Sequence, residues 1–258
     1  MNYKTILMAS AAVVFAGSAM AADLTNPFYA PTEGKFSSDT TLEHSRLKFK
    51  HHFGVVKDTA LAEEVAYGVN DNLAVHAKIT NNFDVSGDYN NDHNFTYNVG
   101  AGYNMRSGDL LAQVAADYTT LNPKSYYGHK RAKEMGLKRW EKALGAKVKL
   151  GYDAGEGLTP YAMYEIEGEI DKADRDLYQS LIFGVHKYAE DWSVDAGIRY
   201  DFTTDGKNKN EWYAQAEADY YVVENVALGV YGSYYLAGNG SGDVDYDYTT
   251  GARLKVEF

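Results

Sequence analysis

The chain has no cysteine, and only 4 of its 258 residues are proline. Without cysteine no disulfide can staple the fold, so stability has to come from packing or from a closed hydrogen-bond ladder. Hydrophobicity is scarce as well, with a mean hydropathy of −0.45. Past the first 21 residues no stretch approaches the ~20 apolar residues that a membrane-spanning helix needs. Positive charge is outweighed: the net charge of −11 argues against nucleic acid as a partner. Tyrosine and glycine, in contrast, are plentiful, at 23 and 24 residues. Low hydropathy with many aromatics fits a sheet whose two faces differ, one meeting lipid and the other water, with tyrosines at the interfaces between them.

The start of the chain reads as an export signal. Met1–Ala21 carries Lys4, an apolar run from Ile6 to Phe15, and then Ala19-Met20-Ala21. A basic start, a short apolar core and a small-x-small cleavage site describe a secretory signal peptide, too short to serve as a membrane anchor. Residues 22–34, with Asn26-Pro27-Phe28-Tyr29 and Pro31, do not alternate and cannot belong to a ladder. They are expected as an N-terminal periplasmic segment at or inside the mouth of the structure that follows, over 35–258.

From about Lys35 the chain alternates with period two, interrupted by turn residues. The hairpin Trp212–Leu236 shows it best. Trp212, Ala214, Ala216, Ala218, Tyr220 and Val222 form one apolar face, resumed after Val223-Glu224-Asn225 by Val226, Leu228, Val230, Tyr234 and Leu236. A three-residue turn would pair Val222 with Val226 and keep both sets on one side. Asn70–Asn72, Arg106–Asp109, Asp153–Gly157 and Glu190-Asp191 join further pairs of this kind. Longer connections fall near 51–59, 82–93, 122–138, 170–176, 203–210 and 237–245, and His129–Ala143 reads as a possible short helix. The total is about 12 strands, an even number as bacterial barrels require. A soluble sandwich also alternates, but it does not expose so many aromatics on its strand faces and has two edges to protect.

The last strand alternates without a break. Tyr248, Thr250, Ala252, Leu254, Val256 and Phe258 face one way, and Thr249, Gly251, Arg253, Lys255 and Glu257 the other. A final amphipathic strand that ends on Phe resembles the closing strand of bacterial outer-membrane β-barrels. The chain as a whole resembles the broad class of small porin-like outer-membrane barrels of Gram-negative bacteria. That resemblance implies an all-β, antiparallel up-and-down transmembrane barrel with short periplasmic turns and longer extracellular loops. It implies the cell outer membrane as location, with the lipid bilayer, lipopolysaccharide and the outer-membrane assembly machinery as partners. It also implies that Tyr248, Leu254, Val256 and Phe258 carry an assembly signal.

If the apolar sets face lipid, the polar sets line the lumen, and they hold both signs of charge. Glu64, Lys78, Asp117, Lys147, Lys149, Glu165 and Glu167 are expected there from the first half of the chain. His186, Asp195, Arg199, Glu217, Asp219, Arg253 and Lys255 are expected from the second. The registers set Glu64 beside Lys78 and His186 beside Asp195. These charges either fill the interior as structural pairs or line a narrow polar pore. Inward small residues, among them Gly100, Gly102, Ala115, Gly145, Gly184, Gly197, Ala227, Gly229 and Gly251, are expected to leave room for water. Glu63 is adjacent to Glu64, so strict alternation would point it at lipid. A bulge turning both inward is the expectation, with a protomer interface as the alternative.

Few motifs for chemistry stand out. Asp243, Asp245 and Asp247 recur on one side of a strand top beside Gly240-Ser241-Gly242. They are weak candidates for Ca²⁺, because the rest of a calcium loop is missing. Lys124, His129, Lys130, Arg131, Lys133, Lys138 and Arg139 form a basic segment suited to lipopolysaccharide phosphates or anionic solutes. His44, His51, His52, His93 and His129 near the outer end, with Asp84, Asp88 and Asp92, lack the grouping that barrel hydrolases use, so neither an enzyme nor a cofactor is expected. The function expected is passive diffusion of small hydrophilic solutes. A closed barrel presenting its loops as adhesin or receptor is the rival reading, and an outer-membrane hydrolase a minor one.

Overall fold

The computed structural model describes residues 23–49, 55–83, 94–121, 142–170, 177–203, 210–238 and 244–258. Residues 1–22, with the expected signal peptide, lie outside these. So do the basic segment up to residue 141 and the histidines and aspartates of the outer connections other than His44, Asp245 and Asp247.

Twelve strands form one closed antiparallel barrel in which each strand pairs with its sequence neighbours and the first pairs with the last. They are β1 (Phe36–Phe49), β2 (Val55–Gly68), β3 (Leu73–Phe83), β4 (Asn94–Ser107), β5 (Leu110–Leu121) and β6 (Lys142–Tyr152). The second half holds β7 (Leu158–Glu169), β8 (Leu177–Ala189), β9 (Trp192–Thr203), β10 (Asn210–Val223), β11 (Val226–Gly238) and β12 (Val244–Glu257). Closure leaves no edge with unpaired N–H and C=O groups, which is what lets a sheet stand in lipid. Asp23, Phe258 and the five short turns lie at one end. By the convention of bacterial barrels this is the periplasmic end.

The apolar sets face outward. Leu110 and Val230 are each 62% exposed, and Leu150, Phe183 and Tyr220 are close behind. A continuous apolar surface of this extent is unstable in water and stable against hydrocarbon. The barrel is therefore a transmembrane one, as its alternation implies.

Three local expectations are corrected. The β10–β11 turn is shorter: Tyr220 pairs with Leu228, Tyr221 with Ala227 and Val223 with Val226. Val222 is the extra residue of a bulge, and this keeps the apolar faces aligned across a two-residue turn. Second, β2 begins at Val55, so the first outer connection is shorter than 51–59, and β6 begins at Lys142, inside the suggested helix. Third, no bulge turns Glu63 inward. Thr40 pairs with Glu63 and Asp39 with Glu64, and on the other side Glu63 pairs with Ile79 and Glu64 with Lys78. Glu63 thus stands on the outer wall, where its carboxylate accepts hydrogen bonds from the Ser38 and Thr40 hydroxyls. Those two donors supply what burial in lipid would otherwise deny it.

Candidate functional site

Strict alternation brings the fourteen charged residues expected in the lumen onto the inner side of the wall. Lys147 on β6 pairs with Glu165 on β7, Nζ to Oε1 at 2.9 Å. The Glu64–Lys78 and His186–Asp195 neighbours occupy facing positions. Glu217 on β10 accepts from Arg253, lies 3.4 Å from Lys255 Nζ, and shares Arg253 with Asp39 on β1. Arg199 lies 3.1 Å from Asp201 and stacks over the Tyr213 ring at 4.6 Å. Lys149, Asp117, Glu167 and Asp219 complete the set.

Many of these contacts skip a strand, and glycine is the reason. His76 on β3 reaches Asp117 on β5 at 2.7 Å, across Gly100 on β4, which faces both. A Cβ on Gly100 would lie 2.3 Å from Asp117 Oδ1 and 2.7 Å from His76 Cε1. Tyr231 on β11 donates to Glu43 on β1 at 3.0 Å, over Gly251 on β12. Asp219 and Arg253 crowd Gly229 between them, and Tyr161 lies over Gly184 on its way to Asp195 at 2.8 Å. Gly100, Gly184, Gly229 and Gly251 are therefore saddles for side chains lying flat along the wall, not space for water. Gly102 and Gly145 do leave room, with nothing nearer than 3.7 Å to an added Cβ.

The periplasmic mouth is narrowed by the chain itself. Residues 23–34 enter the barrel, and their polar groups are met by wall residues. Asp23 Oδ2 lies 2.9 Å from His186 Nε2, and Asp23 Oδ1 accepts from Tyr221 Oη at 2.8 Å. Thr25 Oγ1 is 2.7 Å from Ser193 Oγ. The Pro27 carbonyl accepts from Lys149 and the Phe28 carbonyl from Asn104. Tyr29 Oη donates to Glu257 Oε2 at 2.7 Å. Leu24 packs with Tyr221 and Ala227, flanked by Tyr29 and Tyr188. The Phe28 ring occupies the space a Cβ on Gly151 would need, 2.5 Å away. Burial alone would raise the Asp23 carboxyl, but the hydrogen bond and charge of His186, with Thr25 and Tyr221, outweigh it and hold the pKa at about 2. Burial and the neighbouring Glu257 carboxylate push the Tyr29 hydroxyl well above its ordinary value. Thr25, Ser193 and Tyr221 are not singled out by the sequence, and Tyr29 enters only as part of the Asn-Pro-Phe-Tyr run that announces a non-ladder segment.

Above this plug the described residues leave the lumen open. A cavity of about 870 Å³ is lined by Pro27 and Tyr29 of the plug and by wall charges including Glu64, Lys78, Lys147 and Arg253. A second space of about 310 Å³ includes Glu43, Arg199 and Tyr231, and shares Asp195, Gln215 and Glu217 with the first.

The remaining candidates separate. Asp243 lies outside the described residues. Asp245 is the extra residue where β12 slips against β1, and it pairs with Lys48 at 2.8 Å. Asp247 instead accepts from Tyr213 at 3.1 Å. The two do not share a side as the bare alternation suggested, because the register shift intervenes. His44 lies on the outer wall, 3.0 Å from the Thr59 hydroxyl.

No family model and no curated protein sequence matches the chain. Solved structures do. An outer membrane channel from Pseudomonas putida F1 aligns with a TM-score of 0.59 at 12% identity, over 90% of this chain and 98% of that one. The NanC porin aligns at 0.59 and 10% identity, over 84% of this chain and 98% of the porin. The KdgM porin in complex with disordered oligogalacturonate aligns at 0.51 and 8% identity, over 85% and 99%. At these identities the likeness is one of fold: the chain has the fold of outer-membrane channels and porins.

Proposed function

We propose that the protein is an outer-membrane channel through which small hydrophilic solutes diffuse passively, past a mixed-charge wall and a periplasmic mouth narrowed by residues 23–34. The observation that carries this reading is the space the described residues leave in the lumen, about 870 Å³ lined by charges of both signs. A structural interior would have closed that space with interlocked side chains. The fourteen inward charges act as pore lining in this reading, while Tyr248, Leu254, Val256 and Phe258 serve assembly. Lys147 and Glu165 form a direct ion pair across β6 and β7, so neutralising either one leaves the other charge uncompensated in the lumen. Under a salt gradient in a planar bilayer, Lys147→Gln shifts the reversal potential toward cation selectivity and Glu165→Gln toward anion selectivity. The anchored plug favours a second reading, a barrel held closed. In that case the full mature chain is silent and a chain lacking residues 23–31 conducts. Silence of both removes the channel reading.

A further inference from the structure

The outer wall is not apolar all the way round. Along β1 the outward positions from Ser38 to Lys48 include one aliphatic residue, Leu42, and the facing stretch of β2 carries Lys57, Thr59 and Glu63 around Leu61. Arg46 and Lys57 are directly opposed across the β1–β2 ladder, a like-charge pair that destabilises a sheet unless an anion joins it. Glu63 is not that anion. It lies six residues below Lys57, roughly 20 Å along the strand, and its oxygens are taken by Ser38 and Thr40. Lys48 is answered by Asp245. Arg46 has only the Tyr248 hydroxyl at 3.4 Å, and Lys57 has no ion pair among the described residues.

The height of the pair says what meets it. Phe36, Tyr67 and Phe258 cluster at the periplasmic end, and Arg46 is ten residues further up β1. At about 3.3 Å per residue and a tilt of about 40°, Arg46 stands roughly 25 Å above that ring, at the far boundary of the apolar band. Tyr246 and Tyr248, stacked at 6.0 Å, mark the same interface. We infer that Arg46 and Lys57 form a clamp for a phosphate group of outer-leaflet lipopolysaccharide. This assignment rests on the outer-membrane reading above. Guanidinium suits it because it meets phosphate with two parallel hydrogen bonds, while the ammonium supplies a point charge.

The test is native mass spectrometry of the full mature barrel in detergent with two probes: lipid A bearing its phosphates, and the same lipid dephosphorylated. The wild-type barrel is expected to retain the phosphorylated lipid roughly tenfold better or more. The Arg46→Gln/Lys57→Gln double variant is expected to bind both alike, and Lys187→Gln at the periplasmic end to behave as wild type. Equal retention of both lipids by the wild-type barrel overturns the clamp, and this arm needs no variant to fold. Displacement of the lipid by millimolar inorganic phosphate alone overturns the lipid as occupant. Bilayer conductance is read separately, so a silent channel leaves this result intact.

Discussion

At the scale of the residue, glycine and hydroxyl side chains decide where charge can sit. A glycine on the middle strand of three lets an acid and a base, or a tyrosine and a carboxylate, join hands across it. The His76–Gly100–Asp117 bridge makes this testable. Gly100→Ala puts a methyl 2.3 Å from Asp117 Oδ1, so the pair must part or the wall must bend. Overpacking of this kind costs about 1–3 kcal/mol, expected as a lower urea midpoint for barrels folded into lipid vesicles. Gly102→Ala, with nothing nearer than 3.8 Å, is expected to leave the midpoint unchanged. Sequence shows that these glycines face inward but not that neighbours lie over them, because that depends on pairings two strands apart. Glu63 shows the same limit. Its outward position follows from alternation, but its tolerance there follows from Ser38 and Thr40 on the adjacent strand.

The strands, read as elements, are almost wholly legible, since period-two alternation and turn residues are local properties. The β10–β11 turn is the exception, because a bulge shifts pairing without altering the alternation seen in the chain. The plug is the opposite case. Its boundaries are visible in sequence as a break in alternation, yet its partners are scattered over β4, β6, β8, β9, β10 and β12. Asp23 makes its docking pH-dependent. The carboxyl ionises at about 2 when docked against an ordinary 3.8, so its contribution is complete above about pH 4 and is lost as the pH falls toward 2. The full contribution is about 2 kcal/mol. Because the chain has no cysteine, a nitroxide on Asn26→Cys reports the segment alone. Its spectrum is expected to sharpen between about pH 4 and 2, and Asp23→Asn is expected to be mobile already at neutral pH. A pH-independent spectrum with Asp23 present would refute this anchoring role.

The whole molecule depends on one seam. The backbone of Phe36 and Phe258 exchange two hydrogen bonds of 2.8 Å, and their rings stack at 5.9 Å. Deleting Phe258 is expected to lower the folded fraction, read as loss of the heat-modifiable band on electrophoresis, while Phe258→Tyr keeps it. The plug is fastened at the same place, since Tyr29 is held by Glu257, the penultimate residue, and Leu24 packs on Tyr221 and Ala227 near the end of the chain. The segment that leaves the ribosome early therefore has no complete berth until the final strand has been made and paired. Its seating acts as a receipt for a finished product. A truncated or half-closed chain is expected to leave that segment open to added protease, while a completed barrel is expected to protect it.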